Sequence, residues 1–153
     1  MDRTHSAHNF SLRPATPADA VTIRQIINQV GINPMALDWK RFILAIDPFG
    51  KVIGCGQVKR HADGSSELAS IAVLHEWRHK GIARKIIEQL LEQYPGRIYL
   101  TCRAQLGPMY QKFGFQTVQV ANMPPYFRRI SRFVGLINKL FHSPHNLLVM
   151  RRD

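Results

Sequence analysis

Arg78-His79-Lys80-Gly81-Ile82-Ala83-Arg84 places four basic side chains around a glycine at the head of a helical pattern. The residues just ahead of it, Ser70-Ile71-Ala72-Val73, read as the end of a strand. A helix N-terminus presents backbone N–H groups without intrahelical partners and the positive end of the helix dipole, an arrangement suited to phosphate oxygens. Gly81 allows the backbone to approach a ligand closely, and the small Ala83 leaves the first turn unobstructed. Arg78, His79, Lys80 and Arg84 add positive potential. The chemistry implied is the binding of a phosphorylated ligand, although spacing alone describes an ordinary basic helix start equally well.

Other reactive patterns are weaker. Gly54-Cys55-Gly56 is followed by strand-like residues rather than a helix, so it is a poor dinucleotide signature. No G-x-x-x-x-G-K-[ST] loop is present, and Ser70 and Ser131 lack the setting of a nucleophile elbow. No His, Cys, Asp or Glu group has metal-ligand spacing, so no metal is expected.

Periodicity supplies the elements that must hold the basic turn. Phe10 to Arg13 alternates as a short strand, and Thr16-Pro17-Ala18-Asp19 is a helix start. Ile23, Ile26, Ile27 and Val30 form that helix's apolar face, with Gly31 to end it. Asn33-Pro34 precedes a second, short element. Strands follow over Arg41–Ile46, Val52–Arg60 and Glu67–Val73, joined by turns at Asp47-Pro48-Phe49-Gly50 and Ala62-Asp63-Gly64-Ser65. Ile82, Ile86, Ile87, Leu90, Leu91 and Tyr94 recur at helical spacing up to Pro95-Gly96. Arg97–Cys102 is a strand, Leu106–Phe113 a short helix, Phe115–Val120 a strand, Ile130–Phe141 an amphipathic helix and Leu147–Met150 a closing strand. The order predicts an α+β, mixed α/β domain with a central, mostly antiparallel sheet of six to seven strands flanked by helices. Its parallel pair falls at the crossover between Glu67–Val73 and Arg97–Cys102, where ligands tend to bind. No composition break or linker divides the chain, so residues 1–153 are read as a single domain with a flexible N-terminus over residues 1–9.

Arg78-x-x-Gly81-x-Ala83 after a strand ending in Val73 resembles the Arg/Gln-x-x-Gly-x-Gly/Ala signature of the GNAT superfamily of N-acetyltransferases. Tyr110-Gln111-Lys112-Phe113-Gly114-Phe115 resembles that family's Tyr-x-x-x-Gly-Phe segment, and Phe10 to Asp19 resembles a common GNAT opening. The element order is similar from about Phe10 to Arg151. The resemblance implies a GNAT-like sheet whose parallel strands splay apart, with acetyl-CoA as cosubstrate. It assigns Ile71, Ala72 and Val73 to backbone contacts with the pantetheine arm, the Val73 N–H to the thioester carbonyl, and Arg78, His79, Lys80, Gly81, Ile82, Ala83 and Arg84 to the pyrophosphate.

The same resemblance makes Tyr110 the acid that protonates the departing thiolate, against the alternative of a plain core aromatic. An alkylamine acceptor, with a pKa of roughly 10, must lose a proton before it attacks. Glu67 corresponds to the glutamate many relatives use as base, directly or through water, and is equally read as a solvated strand-start carboxylate. His75 and Glu76 shape the loop entrance or face solvent. Arg103 stands where many relatives carry a coenzyme-contacting Asn, so it either reaches a phosphate or faces solvent.

The chain of 153 residues is 45% hydrophobic and 20% charged, a globular composition rather than a disordered one. No apolar run approaches the roughly 18 residues of a membrane span, and the first ten residues lack a secretory apolar core. Cys55 and Cys102 lie in strand-like runs and are read as reduced, buried thiols of a cytoplasmic protein. The net charge of +11 favours anionic partners without naming them. The expected partners are acetyl-CoA and an amine acceptor, with no nucleic acid, in a monomer or homodimer. Two rival functions stay open: a non-catalytic acyl-CoA-binding regulatory module, and a basic nucleic-acid-binding protein. The helix over Ile130–Phe141, flanked by Arg128, Arg129, Arg132 and Lys139, covers the domain's own sheet or lies on an anionic membrane or partner. Met123-Pro124-Pro125-Tyr126-Phe127 is read as a stiff aromatic loop that shapes the acceptor pocket or simply connects elements.

Overall fold

The computed structural model describes residues 9–141 and 146–153. All of the expected flexible terminus except Asn9 lies outside the described residues. Seven strands follow the order β1-β2-β3-β4-β5-β7-β6, with β1 at Ser11–Pro14, β2 at Phe42–Ile46, β3 at Val52–Arg60, β4 at Ser66–Val73, β5 at Ile98–Arg103, β6 at Gln116–Thr117 and β7 at Leu147–Arg152. The helices are α1 at Ala20–Val30, α2 at Ile82–Gln93, α3 at Gly107–Gln111 and α4 at Pro125–Phe141. β1–β2, β2–β3, β5–β7 and β6–β7 pair antiparallel, while β4 and β5 run parallel with Glu67 opposite Tyr99. The parallel pair thus falls at the crossover the element order requires.

The chain gathers into two compact units: residues up to Gln57 with Ser70–Gln93, and Val58–Ala69 with Tyr94–Asp153. In the first, α2 packs on β2, and its buried face is Ile82, Ile86, Ile87, Leu90 and Leu91, the expected set without Tyr94, which lies past the end of the helix and is half-buried. Ile23, Ile26 and Ile27 of α1 are buried too, and Gly31 ends that helix in the left-handed region at φ 79°. Thr16 opens a 3-10 turn over Pro17–Asp19. Asp19 also accepts two hydrogen bonds from the Arg13 guanidinium, at 2.8 and 2.9 Å, which hold its carboxyl far below the usual range. The second unit has its own cluster of Tyr99, Val118, Met123, Phe127 and Val149.

Four local expectations change. The element after Asn33-Pro34 is only a 3-10 turn at Trp39–Arg41, where the Asp38 side chain accepts the Lys40 N–H. α3 is shorter than Leu106–Phe113. β6 shrinks to two residues because it is an edge strand paired only with β7. α4 begins five residues earlier than Ile130 and absorbs part of the aromatic segment. Its first turn has Pro125 at the start and the Tyr126 N–H donating 2.9 Å to the carboxylate of Asp63, a partner 63 residues away in sequence.

Candidate active site

In the first unit, β4 delivers the chain into the basic turn. Ser70 lies within β4 yet adopts φ +58°, a left-handed conformation that interrupts the strand's regular pleat. The wholly buried Gln57 donates to Ser70 Oγ at 2.9 Å and to the Ala36 carbonyl at 3.3 Å, so a fixed polar contact supports the strained residue. Three residues on, Val73 ends the strand, and Arg78 Nε donates back to its carbonyl at 3.3 Å. Within the connecting turn the Trp77 and Arg78 N–H groups bond to the Leu74 and His75 carbonyls.

Left-handed backbone then recurs at His79 (φ +61°) and Gly81 (φ +80°), immediately before α2. Alternation of this kind turns successive N–H groups towards one side, a concavity that suits anions. Gly81 is exposed with no atom within 4 Å of a notional Cβ, so its backbone angle rather than crowding favours glycine. Arg78 and His79 are exposed. Lys80 Nζ lies 4.9 Å from the Trp77 ring centroid, which steadies the ammonium. Arg84 instead pairs with Glu88 at 2.9 Å on the exposed side of α2. His75 and Glu76 are exposed, Glu76 within 3.6 Å of Lys51. A glycine-headed turn with two left-handed residues, an open helix N-terminus and three basic side chains fits a diphosphate.

The second unit holds the titratable groups. Tyr110 on α3 is buried, its ring edge-on to Phe115 at 6.1 Å. Burial, reinforced by Cys102, pushes the phenol up to about 12, so the hydroxyl keeps its proton. Glu67 on β4 is buried rather than solvated. Its Oε2 lies 2.7 Å from His61 Nε2, and Thr101 Oγ1 donates to Oε1 at 3.4 Å. The two side chains of the His61–Glu67 pair are only 11% and 8% exposed. Tyr126 stacks on the imidazole with centroids 3.5 Å apart, and Phe127 meets it edge-on at 5.7 Å. Lys59 is held below its ordinary range by desolvation, with Glu67 acting in the opposite sense. Arg103, exposed at the end of β5, borders a cavity of about 320 Å³ with Val134, Ile137, Asn138, Asn146 and Leu147.

Gln57, His61 and Thr101 escape motif reading. The signal for His61 is faint: it stands at the mouth of the Ala62-Asp63-Gly64-Ser65 turn, where a tight reversal returns the chain towards Glu67. Gln57 has no signal, because its partner is a backbone irregularity.

Residues 38–117, just over half of the chain, match the family model described as an acetyltransferase (GNAT) domain. The chain belongs to the GNAT acetyltransferase family. Solved structures share this GNAT fold. N-acetylglutamate synthase from Neisseria gonorrhoeae, complexed with coenzyme A and N-acetyl-glutamate, superposes with a TM-score of 0.72 at 19% identity over 94% of this chain. This chain spans only 35% of that enzyme's length. Rv2747 from Mycobacterium tuberculosis, in complex with CoA and NLQ, gives 0.69 at 18% identity, covering 93% of this chain and 98% of its own. Escherichia coli ElaA gives 0.66 at 14% identity, covering 95% and 100%. No curated protein sequence matches the chain. GNAT enzymes use acetyl-CoA as cosubstrate. Among the described residues, no group of three or more His, Cys, Asp or Glu is placed to hold a metal ion, and no helix is long and apolar enough to cross a membrane.

Proposed function

We propose that this GNAT protein is an N-acetyltransferase that moves the acetyl group of acetyl-CoA to a primary amine of a small molecule, peptide or protein. The left-handed turn at His79 and Gly81, opening onto α2 behind the kinked β4, carries the reading. In this account the backbone of Arg78–Arg84 and the side chains of Arg78, His79 and Lys80 hold the pyrophosphate. Ile71, Ala72 and Val73 pair through their backbone with the pantetheine arm. The Val73 N–H polarises the thioester carbonyl, a single donor aimed at the charge that develops on oxygen. Arg103 assists coenzyme binding from the end of β5.

Glu67, directly or through water, removes the proton that keeps the amine from attacking. The nitrogen lone pair adds to the thioester carbon, a C–N bond forms, and the C–S bond breaks with its electrons on sulfur. Tyr110 donates to that sulfur as charge develops, and the nitrogen sheds its second proton as the amide forms, which balances the proton that the sulfur takes up. Cys55 and Cys102 are free, buried thiols, which suits a reducing cytoplasm.

A coenzyme-A-release assay over amines, amino acids, antibiotics and peptides tests the proposal. Amine-dependent thiol release is expected with at least one class. Acetyl-CoA that binds but is never turned over by any amine would instead make the protein a regulatory acyl-CoA-binding module.

A further inference from the structure

The first turn of α4 anchors the helix: the Tyr126 N–H donates to Asp63 at 2.9 Å, and Phe127 is wholly buried. From Arg128 to Phe141 no residue is buried. Val134 and Ile137 are half-buried and line the cavity of about 320 Å³ together with Leu147 of β7. Further round the helix, Phe133, Leu136 and Leu140 are 63%, 56% and 66% exposed. Their i, i+3, i+7 spacing makes one continuous apolar ridge. Arg129 precedes Phe133 by one turn, Arg132 precedes Leu136 by one turn, and Lys139 lies on the turn after Leu136. All three cations are exposed, so the ridge runs between a sheet-facing side and a cationic side. Single apolar residues on a surface are ordinary, whereas a ridge of this kind marks an interaction site.

The charge around the ridge has one sign. Between Glu92 and Asp153 the sequence holds nine Lys or Arg and no Asp or Glu. Asp153 pairs with Arg97 and Arg151, and among the described residues no carboxylate pairs with Arg129, Arg132 or Lys139. A second copy docked ridge to ridge would set these cations against their own kind. Nucleic acid would take the cations at its phosphates and leave the ridge in water. An anionic bilayer surface satisfies both parts at once. The apolar side chains enter the acyl boundary, and the guanidinium and ammonium groups stay among the anionic headgroups. We propose that α4 is a peripheral membrane-binding helix, docking the protein on an anionic lipid surface through Phe133, Leu136 and Leu140 with Arg129, Arg132 and Lys139. The helix lies along the surface and does not cross it. Nothing in this docking calls on the acetyl-transfer reading, and none of its residues is given to coenzyme binding.

Co-sedimentation of the full chain with vesicles tests the docking, using phosphatidylcholine alone and phosphatidylcholine with about one-third phosphatidylserine. The wild type is expected to bind the anionic vesicles at least about tenfold more tightly than the neutral ones. The triple variants Phe133→Ser/Leu136→Ser/Leu140→Ser and Arg129→Ser/Arg132→Ser/Lys139→Ser should each lose at least about tenfold of that affinity while remaining folded by thermal unfolding. Undiminished binding by the apolar triple variant would reduce the effect to adhesion of a chain of net charge +11 and overturn the proposal. So would a wild type that ignores both kinds of vesicle, whether it dimerises through the ridge or binds duplex DNA instead. If the variants fail to fold, a fluorophore on Leu136→Cys decides, since Cys55 and Cys102 are buried and escape labelling. Its emission is expected to shift to the blue with anionic vesicles, while the same dye on Phe49→Cys, in the exposed turn before β3, does not respond. No shift at Leu136→Cys, or an equal shift at both positions, overturns the proposal.

Discussion

At Tyr110, burial decides what kind of acid the side chain can be. A free phenol, with a pKa of roughly 10, is close to a thiolate in basicity. The buried Tyr110 is pushed up to about 12, which makes complete proton transfer to a thiolate uphill. The group therefore serves best as a donor whose hydrogen bond strengthens as the C–S bond lengthens. Tyr110→Phe, which keeps the ring against Phe115, should lower kcat about 10²-fold and leave acetyl-CoA affinity nearly unchanged. Equal turnover in steady-state assays would remove Tyr110 from this role. The helix that starts after Gly81 and the short helix that carries Tyr110 were legible in the sequence because each lies in a local pattern; the roles proposed for the two residues come from the family resemblance. The burial of Glu67 was not legible, since its partners His61 and Thr101 lie six and 34 residues away and only folding brings them in.

Among the elements, the Gly54-Cys55-Gly56 fragment gains a purpose that periodicity did not supply. A Cβ on Gly56 would lie 2.6 Å from Ile71 Cδ1 and 2.7 Å from Ile86 Cγ2. One on Gly54 would lie 3.1 Å from both the Ala72 carbonyl and Ile82 Cγ2. The glycines let β3 accept the apolar face of α2 at close range, and so fix the helix whose N-terminus closes the basic turn. Gly56→Ala should overpack this contact and cost roughly 1–3 kcal/mol, read as a lowered Tm and a lower denaturant midpoint. An unchanged Tm would mean that α2 sits further from β3. The faces of α1 and α2 could be read from their 3.6-residue repeats. The start of α4 could not, because its cap is Asp63 in a distant turn, and neither could the brevity of β6, which depends on its place at the sheet edge.

For the molecule as a whole, the succession of elements and the parallel crossover between β4 and β5 could be anticipated because connectivity limits where a parallel pair can arise; the place of β7 between β5 and β6 could not. The partition of the chain into two interleaved units could not, since β3 and β4 each contribute residues to both. The charge of +11 fits an anionic cosubstrate without selecting one; in the proposed function that selection falls to the turn before α2. Calorimetric titration of acetyl-CoA into the wild type and into Gly81→Asp tests this most directly. A Cβ there meets no atom within 4 Å, the left-handed φ adds a backbone strain of about 1–2 kcal/mol, and the carboxylate brings a negative charge to the turn proposed to hold the pyrophosphate. The expected result is one-to-one binding by the wild type and at least about tenfold weaker binding by a still-folded variant. Equal affinity in the two proteins, or no binding by the wild type, would contradict the assignment of this turn to coenzyme A.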